Sequence, residues 1–311
     1  MDRREFLKAG AMAAAFAAVA SKLPAQIANA AVETDGEKNN ETKPDVVAVR
    51  NGEPVEMFRK GIEALGGMAA FVKPGQSVCV KPNIGWNRAP EYAADTNPDL
   101  VGEIVKQCLA VGASKVEVFD NTCNEWSACY QTSGIRAAVE AAVGVMHPGN
   151  DYSDTWYADR ECPGAVVMKK ARIHKTLLAA DVVINVPICK HHGAARFTGI
   201  LKNWMGVVQD RRWMHQNNMP QSIADSYLYR PADLNVLDAY RILLRGPQGG
   251  NLNDVQNPKY LVISKDPVVV DAMGVKIMDY DVNAVPYIAM AEKHGLGIAD
   301  VGKHNVLRLE A

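Results

Sequence analysis

Asp181-Val182-Val183-Ile184-Asn185-Val186, running into Pro187-Ile188-Cys189-Lys190-His191-His192, is the stretch on which the fold of this chain turns. Val182, Val183, Ile184 and Val186 are β-branched and favour extended backbone. An apolar run without alternation suits a strand covered on both faces, the situation of a parallel strand between two helical layers. A strand is therefore expected over residues 181–186, central in its sheet and buried on both sides. Its carboxyl end leads directly into a lysine and two histidines, and in open α/β sheets ligands collect outside the carboxyl ends of strands.

Working outward, the same rhythm recurs. Short apolar strands are expected at residues 46–49, 77–81, 115–119 and 260–263. Helical spacing predicts helices over 54–65, stopped by Gly66-Gly67, and over 98–111, with Asn97 as cap and Pro98 in the first turn. Further helices are expected over 133–143, 194–208 and 267–278, the last capped by Asp266. Strands alternating with helices argue an α/β fold: a mainly parallel β-sheet with helices on both faces, forming a single large domain or two closely packed lobes. No internal repeat is visible.

Three strand ends are chemically loaded: Lys81-Pro82-Asn83, Asp120-Asn121-Thr122, and Lys190-His191-His192. Between Val182 and Gln209 there is no Asp or Glu, while Lys190, His191, His192, Arg196 and Lys202 lie inside that span and Arg211, Arg212 and His215 follow it. Cations without local carboxylates attract an anion. On a helix over 194–208, Thr198, Lys202 and Gly206 would share one face, with Gly199 and Asn203 beside them. Glycines in a helix are understandable where a backbone or ligand approaches closely. The alternative is a plain core helix, with Ile200, Leu201, Trp204 and Val207 buried and Lys202 reaching solvent. The counter-ions of Lys190 and Lys202 would then be Asp120, Asp238 or Asp271.

The N-terminus has a different character. Arg3-Arg4 followed by Phe6-Leu7-Lys8, the alanine-rich run of residues 9–20, and Ala28-Asn29-Ala30 form the three parts of an export signal, here of the twin-arginine (Tat) class. Residues 1–30 are expected to be a Tat signal peptide removed before Ala31, and the polar residues 31–44 a flexible tether. The expected partners are the Tat translocase and signal peptidase, and the expected location is the periplasm or the exterior. The apolar run is too short for a spanning helix, so no membrane span is expected in the mature form.

Composition excludes other classes. The chain carries 34 Lys+Arg against 35 Asp+Glu, a formal net charge of −1, and no basic surface pointing to nucleic acid. The six cysteines, Cys79, Cys108, Cys123, Cys129, Cys162 and Cys189, include no Cys-x-x-Cys pair, so no zinc ribbon or ferredoxin-type cluster is indicated. Cys123 and Cys129 are the best-placed pair for a disulfide in an oxidising compartment.

The quoted stretch and the Thr198-Gly199-Ile200-Leu201-Lys202-Asn203-Trp204-Met205-Gly206 segment resemble the core of the DUF362 family, with its Pro-x-x-Lys-x-His and Leu-Lys-Asn-x-x-Gly elements. Val80-Lys81-Pro82-Asn83, Gly246-Pro247-Gln248-Gly249-Gly250 and the run from Ser264 to Ala272 are similar to further elements of that family. The resemblance spans residues 45–309. The family is named for an unknown function, so what it implies is a set of positions: Lys81, Asn83, Lys190, His192, Lys202 and Asn203, with Asp266 and Asp271. Some members are described as iron–sulfur proteins through an attached ferredoxin module, and no cysteine spacing of that kind occurs in this sequence.

Two functional readings follow. In the first, a Lys/His/Asn cleft binds and acts on an anionic small molecule. His192, Lys202 and Asp120 do the chemistry, His192 through a pKa near the ordinary 6.5, while Lys81, Asn83, Lys190, Asn203 and Thr198 hold the substrate. In the second, Cys189, His191, His192 and His215 hold a metal or redox cofactor, or the protein is a non-catalytic periplasmic accessory factor. Adjacent His191 and His192 on extended backbone point opposite ways, which disfavours a shared ion.

Overall fold

The computed structural model describes residues 43–311. The expected signal peptide and almost all of the expected tether lie outside the described residues.

Eleven strands form one sheet whose main path runs β13-β1-β12-β10-β7-β2-β3-β4. In chain order these are β1 (Val46–Arg50), β2 (Ser77–Pro82), β3 (Lys115–Val118), β4 (Val145–Met146), β7 (Val182–Val186), β10 (Leu234–Leu243), β12 (Tyr260–Ser264) and β13 (Val306–Glu310). The strands β8 (Ile188–His192) and β11 (Val255–Gln256) branch from β10, and β9 (Arg196–Thr198) pairs with β8. A separate antiparallel pair joins β5 (Tyr157–Glu161) to β6 (Lys170–His174). From β10 through β7, β2 and β3 to β4 every pairing is parallel. Strand β12 is antiparallel to both its neighbours, so the sheet is mixed but mostly parallel.

The quoted stretch is central, as expected. Strand β7 lies between β10 and β2, and all five of its residues are buried. The period-2 alternation of strands sorts the core into two layers. Val46, Ala48, Cys79 and Val183 pack on one face with the helices Met219–Tyr227 and Pro267–Ile277. Val47, Val49, Val78, Val80, Val182 and Ile184 pack on the other with Pro54–Ala64 and Pro98–Ala110. The chain is thus an α/β protein with helices on both faces of its sheet.

Local signals placed the ends of three helices, Pro54–Ala64, Pro98–Ala110 and Pro267–Ile277. The Asn97 side chain accepts from the backbone of Asp99 and Leu100, and Asp266 accepts from Val268 and Val269. Gly66 and Gly67 both adopt left-handed φ (99° and 76°) after Pro54–Ala64. The helix expected over 133–143 is instead two, Trp126–Thr132 and Ile135–Ala141, because Gly134 between them takes φ 74°.

The helix expected over 194–208 is also corrected. Strand β8 turns back into β9, pairing Lys190 with Thr198 and His192 with Arg196. The turn passes through Arg196 in the left-handed region (φ 64°). Only Ile200–Asn203 is α-helical, followed by a 3-10 turn at Trp204–Val207. Phe197 and Thr198, aromatic and β-branched, suit a strand better than a helix. Asp271 does not serve its own helix. Its carboxylate accepts from the Ile200 and Leu201 backbone amides (2.5 and 3.0 Å), capping this short helix from across the fold.

Candidate functional site

The parallel register builds a polar row across the sheet. Lys81 of β2 stands opposite Asn185 of β7, which stands opposite Asn235 of β10. Polar side chains buried in a sheet need partners. The Asn203 carboxamide supplies several: its nitrogen donates to the Lys81 carbonyl (2.9 Å) and to Asn185 Oδ1 (2.9 Å), and its oxygen accepts from Asn83 Nδ2 (3.1 Å) and Lys81 Nζ (3.3 Å). Asn203 is fully committed to the protein frame. The Asn83 oxygen in turn accepts from Lys190 Nζ (2.8 Å), which also donates to the Ala94 carbonyl.

Beneath the same region Lys81 and Asp120 form a buried ion pair, Nζ to Oδ1 2.6 Å, with the second carboxylate oxygen accepting from the Ile84 amide (2.6 Å). Gly206 lies against this pair. A Cβ there would overlap Asp120 Oδ1 and come within 2.8 Å of Lys81 Nζ. The Asn121 amide closes the contact by donating to the Gly206 carbonyl (3.0 Å). This glycine is required because charged side chains fill the space where its side chain would stand.

Above this floor opens a cavity of 520 Å³. Asn83, Asp120, Lys190, His192, Thr198, Lys202 and Asn203 all line it. Of the eight positions singled out from sequence, Lys81 alone lies below the lining, held by Asp120. The cavity sits at the carboxyl ends of β2 and β3 and on the β8–β9 hairpin. Lys190 and His192 reach it together because they are two apart on β8. His191 faces away, its Nδ1 accepting from the Gly246 amide (3.1 Å).

Among the described residues neither Lys190 nor Lys202 lies within 4.0 Å of a carboxylate, and Asp120, Asp238 and Asp271 are engaged elsewhere. Asp238 accepts from the Asn97 and Tyr240 amides. Lys202 has no hydrogen bond or ion pair among the described residues. Burial, reinforced by the charge of Lys190, pushes its pKa down to about 7. The hydroxyl of Thr198 is buried with no partner. His192 departs from its expected role. Burial, with the charge of Lys202 beside it, lowers its pKa to about 3, so the ring is neutral. Its Nδ1 accepts from the Ala195 amide (3.1 Å), which leaves the proton on Nε2.

Residues not nominated from sequence complete the site. Arg211 donates to the Thr122 carbonyl (2.6 Å) and lies 3.3 Å from Cys123 Sγ at the cavity wall. It belongs to the cationic run, but nothing in the sequence put its guanidinium beside β3. Asp95 sits buried near Lys190 with Oδ1 accepting from the Trp86 amide (3.0 Å) and Oδ2 unpartnered. Burial raises its pKa against the pull of Lys190. Its position beside the Asn97 cap gave no sign of this.

The four ligands considered for a metal do not converge. The Cys189 thiol is buried against the Gly274 carbonyl, His191 faces away, and the His192 and His215 rings stack with centroids 6.0 Å apart. Among the described residues no three His, Cys, Asp or Glu side chains cluster to hold an ion. The Cys123–Cys129 disulfide does not form either: Cys129 is buried in the core under its helix, while Cys123 is exposed at the cavity.

Known proteins resemble this chain at several levels. A thylakoid-associated protein of Synechocystis sp. is 25% identical over 253 residues, covering 79% of this chain and 76% of that one. Among solved structures, the lactate racemase apoprotein from Thermoanaerobacterium thermosaccharolyticum matches with a TM-score of 0.40 at 9% identity over 72% of this chain. A Thermotoga maritima protein matches with 0.43 at 10% over 78%. The chain spans 55% and 60% of those two structures, and likeness this distant carries no functional weight. The model of the family described as "Domain of unknown function (DUF362)" matches residues 78–276, which contain every strand end and both elements that build the cavity. The chain belongs to the DUF362 family.

Proposed function

We propose that this protein binds, and acts on, a small anionic molecule in the cavity, a carboxylate or phosphate, after export by the Tat route. The observation that carries the binding is the Lys202 amine: it faces the cavity with no counter-ion among the described residues, beside Lys190 and Arg211. Gathering like charges out of bulk water is unfavourable unless something neutralises them. An anion does this. Lys190 and Arg211 supply charge, and Asn83 and Asn203 hold the lysines in position. Asp120 is tied to Lys81 and acts through it.

Thermal unfolding in rising sulfate, phosphate or lactate tests the reading. A ligand at 100-fold its dissociation constant stabilises by about 2.7 kcal/mol. The expected result is a saturable rise in Tm that Lys202→Met abolishes. The same variant should raise the Tm without ligand, because it removes an unpaired charge. No stabilisation by any of the three anions overturns the proposal.

A further inference from the structure

Lys202 is placed for more than charge recognition. Its amine is the one lysine nitrogen at the cavity with neither a hydrogen bond nor an ion pair among the described residues; Lys190 is tethered to Asn83 and Ala94, and Lys81 to Asp120. It is partly accessible from a cavity large enough for a small metabolite, with a buried, unpartnered hydroxyl on the lining at Thr198.

We propose that Lys202 is a nucleophile that forms a Schiff base with the carbonyl carbon of a small 2-oxo acid. This rests on the anion-binding reading, because the carboxylate of the substrate is what Lys190 and Arg211 would hold. In the step, the neutral Lys202 nitrogen attacks the carbonyl carbon. A proton passes from nitrogen to the carbonyl oxygen and gives a carbinolamine. The carbinolamine hydroxyl leaves as water, taking a proton, and a carbon–nitrogen double bond replaces the carbon–oxygen one. The net change is amine plus carbonyl to imine plus water, with no oxidant or reductant.

An ordinary lysine is protonated at neutral pH and cannot attack. Desolvation and neighbouring cations are the two means by which proteins keep a lysine neutral, and both act here. The cationic groups around the amine are Lys190, Arg211, His192 and His215, the last two neutral when their lowered pKa values are exceeded. Asp120 and Cys123 oppose them, but Asp120 is spent on Lys81.

Incubation of the full domain with pyruvate and sodium borohydride, followed by peptide mapping by mass spectrometry, tests this. Borohydride delivers hydride to the imine carbon and fixes the adduct as a secondary amine. The adduct is expected at Lys202, with its yield rising through about pH 7 as the amine deprotonates. Lys202→Arg should lower total labelling at least about tenfold while keeping the sulfate-induced Tm shift, since it retains charge without a nucleophile. Acetone, which lacks a carboxylate, should label Lys202 more weakly than pyruvate does. Labelling spread evenly over surface lysines, or none at Lys202 while sulfate still raises the Tm, overturns the Schiff base and leaves anion binding standing. Loss of both the Tm shift and the labelling overturns both.

Discussion

At the scale of single residues, Lys202 sets how the site should respond to pH. Its amine titrates near 7 in the free protein. A bound anion favours the ammonium form and therefore raises that pKa. Between the free and bound values the complex holds a proton the free protein lacks, so binding takes one up and affinity falls as pH rises, by up to about tenfold per unit. Below about 7 both states are protonated and affinity levels off. Sulfate, which does not titrate in this range, is the right probe, with calorimetry between about pH 6 and 9 as the measurement. Affinity that stays flat across the range would mean that Lys202 does not contact the anion. His192 stays neutral throughout, because its own pKa lies near 3.

At the scale of elements, the short helix Ile200–Asn203 and its 3-10 extension depend on their surroundings. Four α-helical residues are far below the length that is stable alone. Asp271 caps the helix N-terminus from the helix Pro267–Ile277, and a Cβ at Gly199 would overlap the Asp271 carboxylate and stand 2.5 Å from Phe197 Cε1. At the other end Gly206 makes room for the Lys81–Asp120 pair. Gly206→Ala should lower stability by about 2–3 kcal/mol, since the pair cannot retreat within a packed core. Chemical denaturation measures this. The anion-induced Tm shift should also shrink, because the segment that carries Lys202 would move. A cost under about 0.5 kcal/mol would mean that the contact relaxes freely.

At the scale of the molecule, one sheet gathers groups from distant parts of the chain, and residues 1–30 are read as the address of the finished domain. The motif Arg3-Arg4 with Phe6-Leu7-Lys8 motivates the export proposal. Replacing both arginines with lysine should leave the precursor in the cytoplasm of a Tat-competent host, whereas the unaltered chain should be processed to begin at Ala31. Cell fractionation and N-terminal sequencing read both outcomes. Unchanged export of the double variant, or dependence on Sec alone, would refute the Tat assignment. Among the described residues no helix is long and apolar enough to cross a membrane.

What the sequence determined by itself was whatever is encoded locally. The β-branched run of β7, the Asn97 and Asp266 caps and the Gly66-Gly67 stop are decided by backbone sterics and by hydrogen bonds within a few residues, so they could be read directly. The strand Leu234–Leu243 could not: Asn235 and Asp238 interrupt its apolar pattern, and they are tolerated only because Asn185, Tyr227 and the Asn97 amide satisfy them from other elements. The β8–β9 hairpin was likewise hidden, since helical spacing of Thr198, Lys202 and Gly206 competes with a pairing that appears only when β8 lies against β10. Lys190, His192 and Lys202 were visible as charge without counter-charge in the run from Val182 to Gln209, and Lys81, Asn83 and Asp120 as polar residues at strand ends. Tertiary structure alone decided which charges were neutralised, giving Asp120 to Lys81 and none to Lys202, because burial and distance set the energy of a charge and neither is written along the chain.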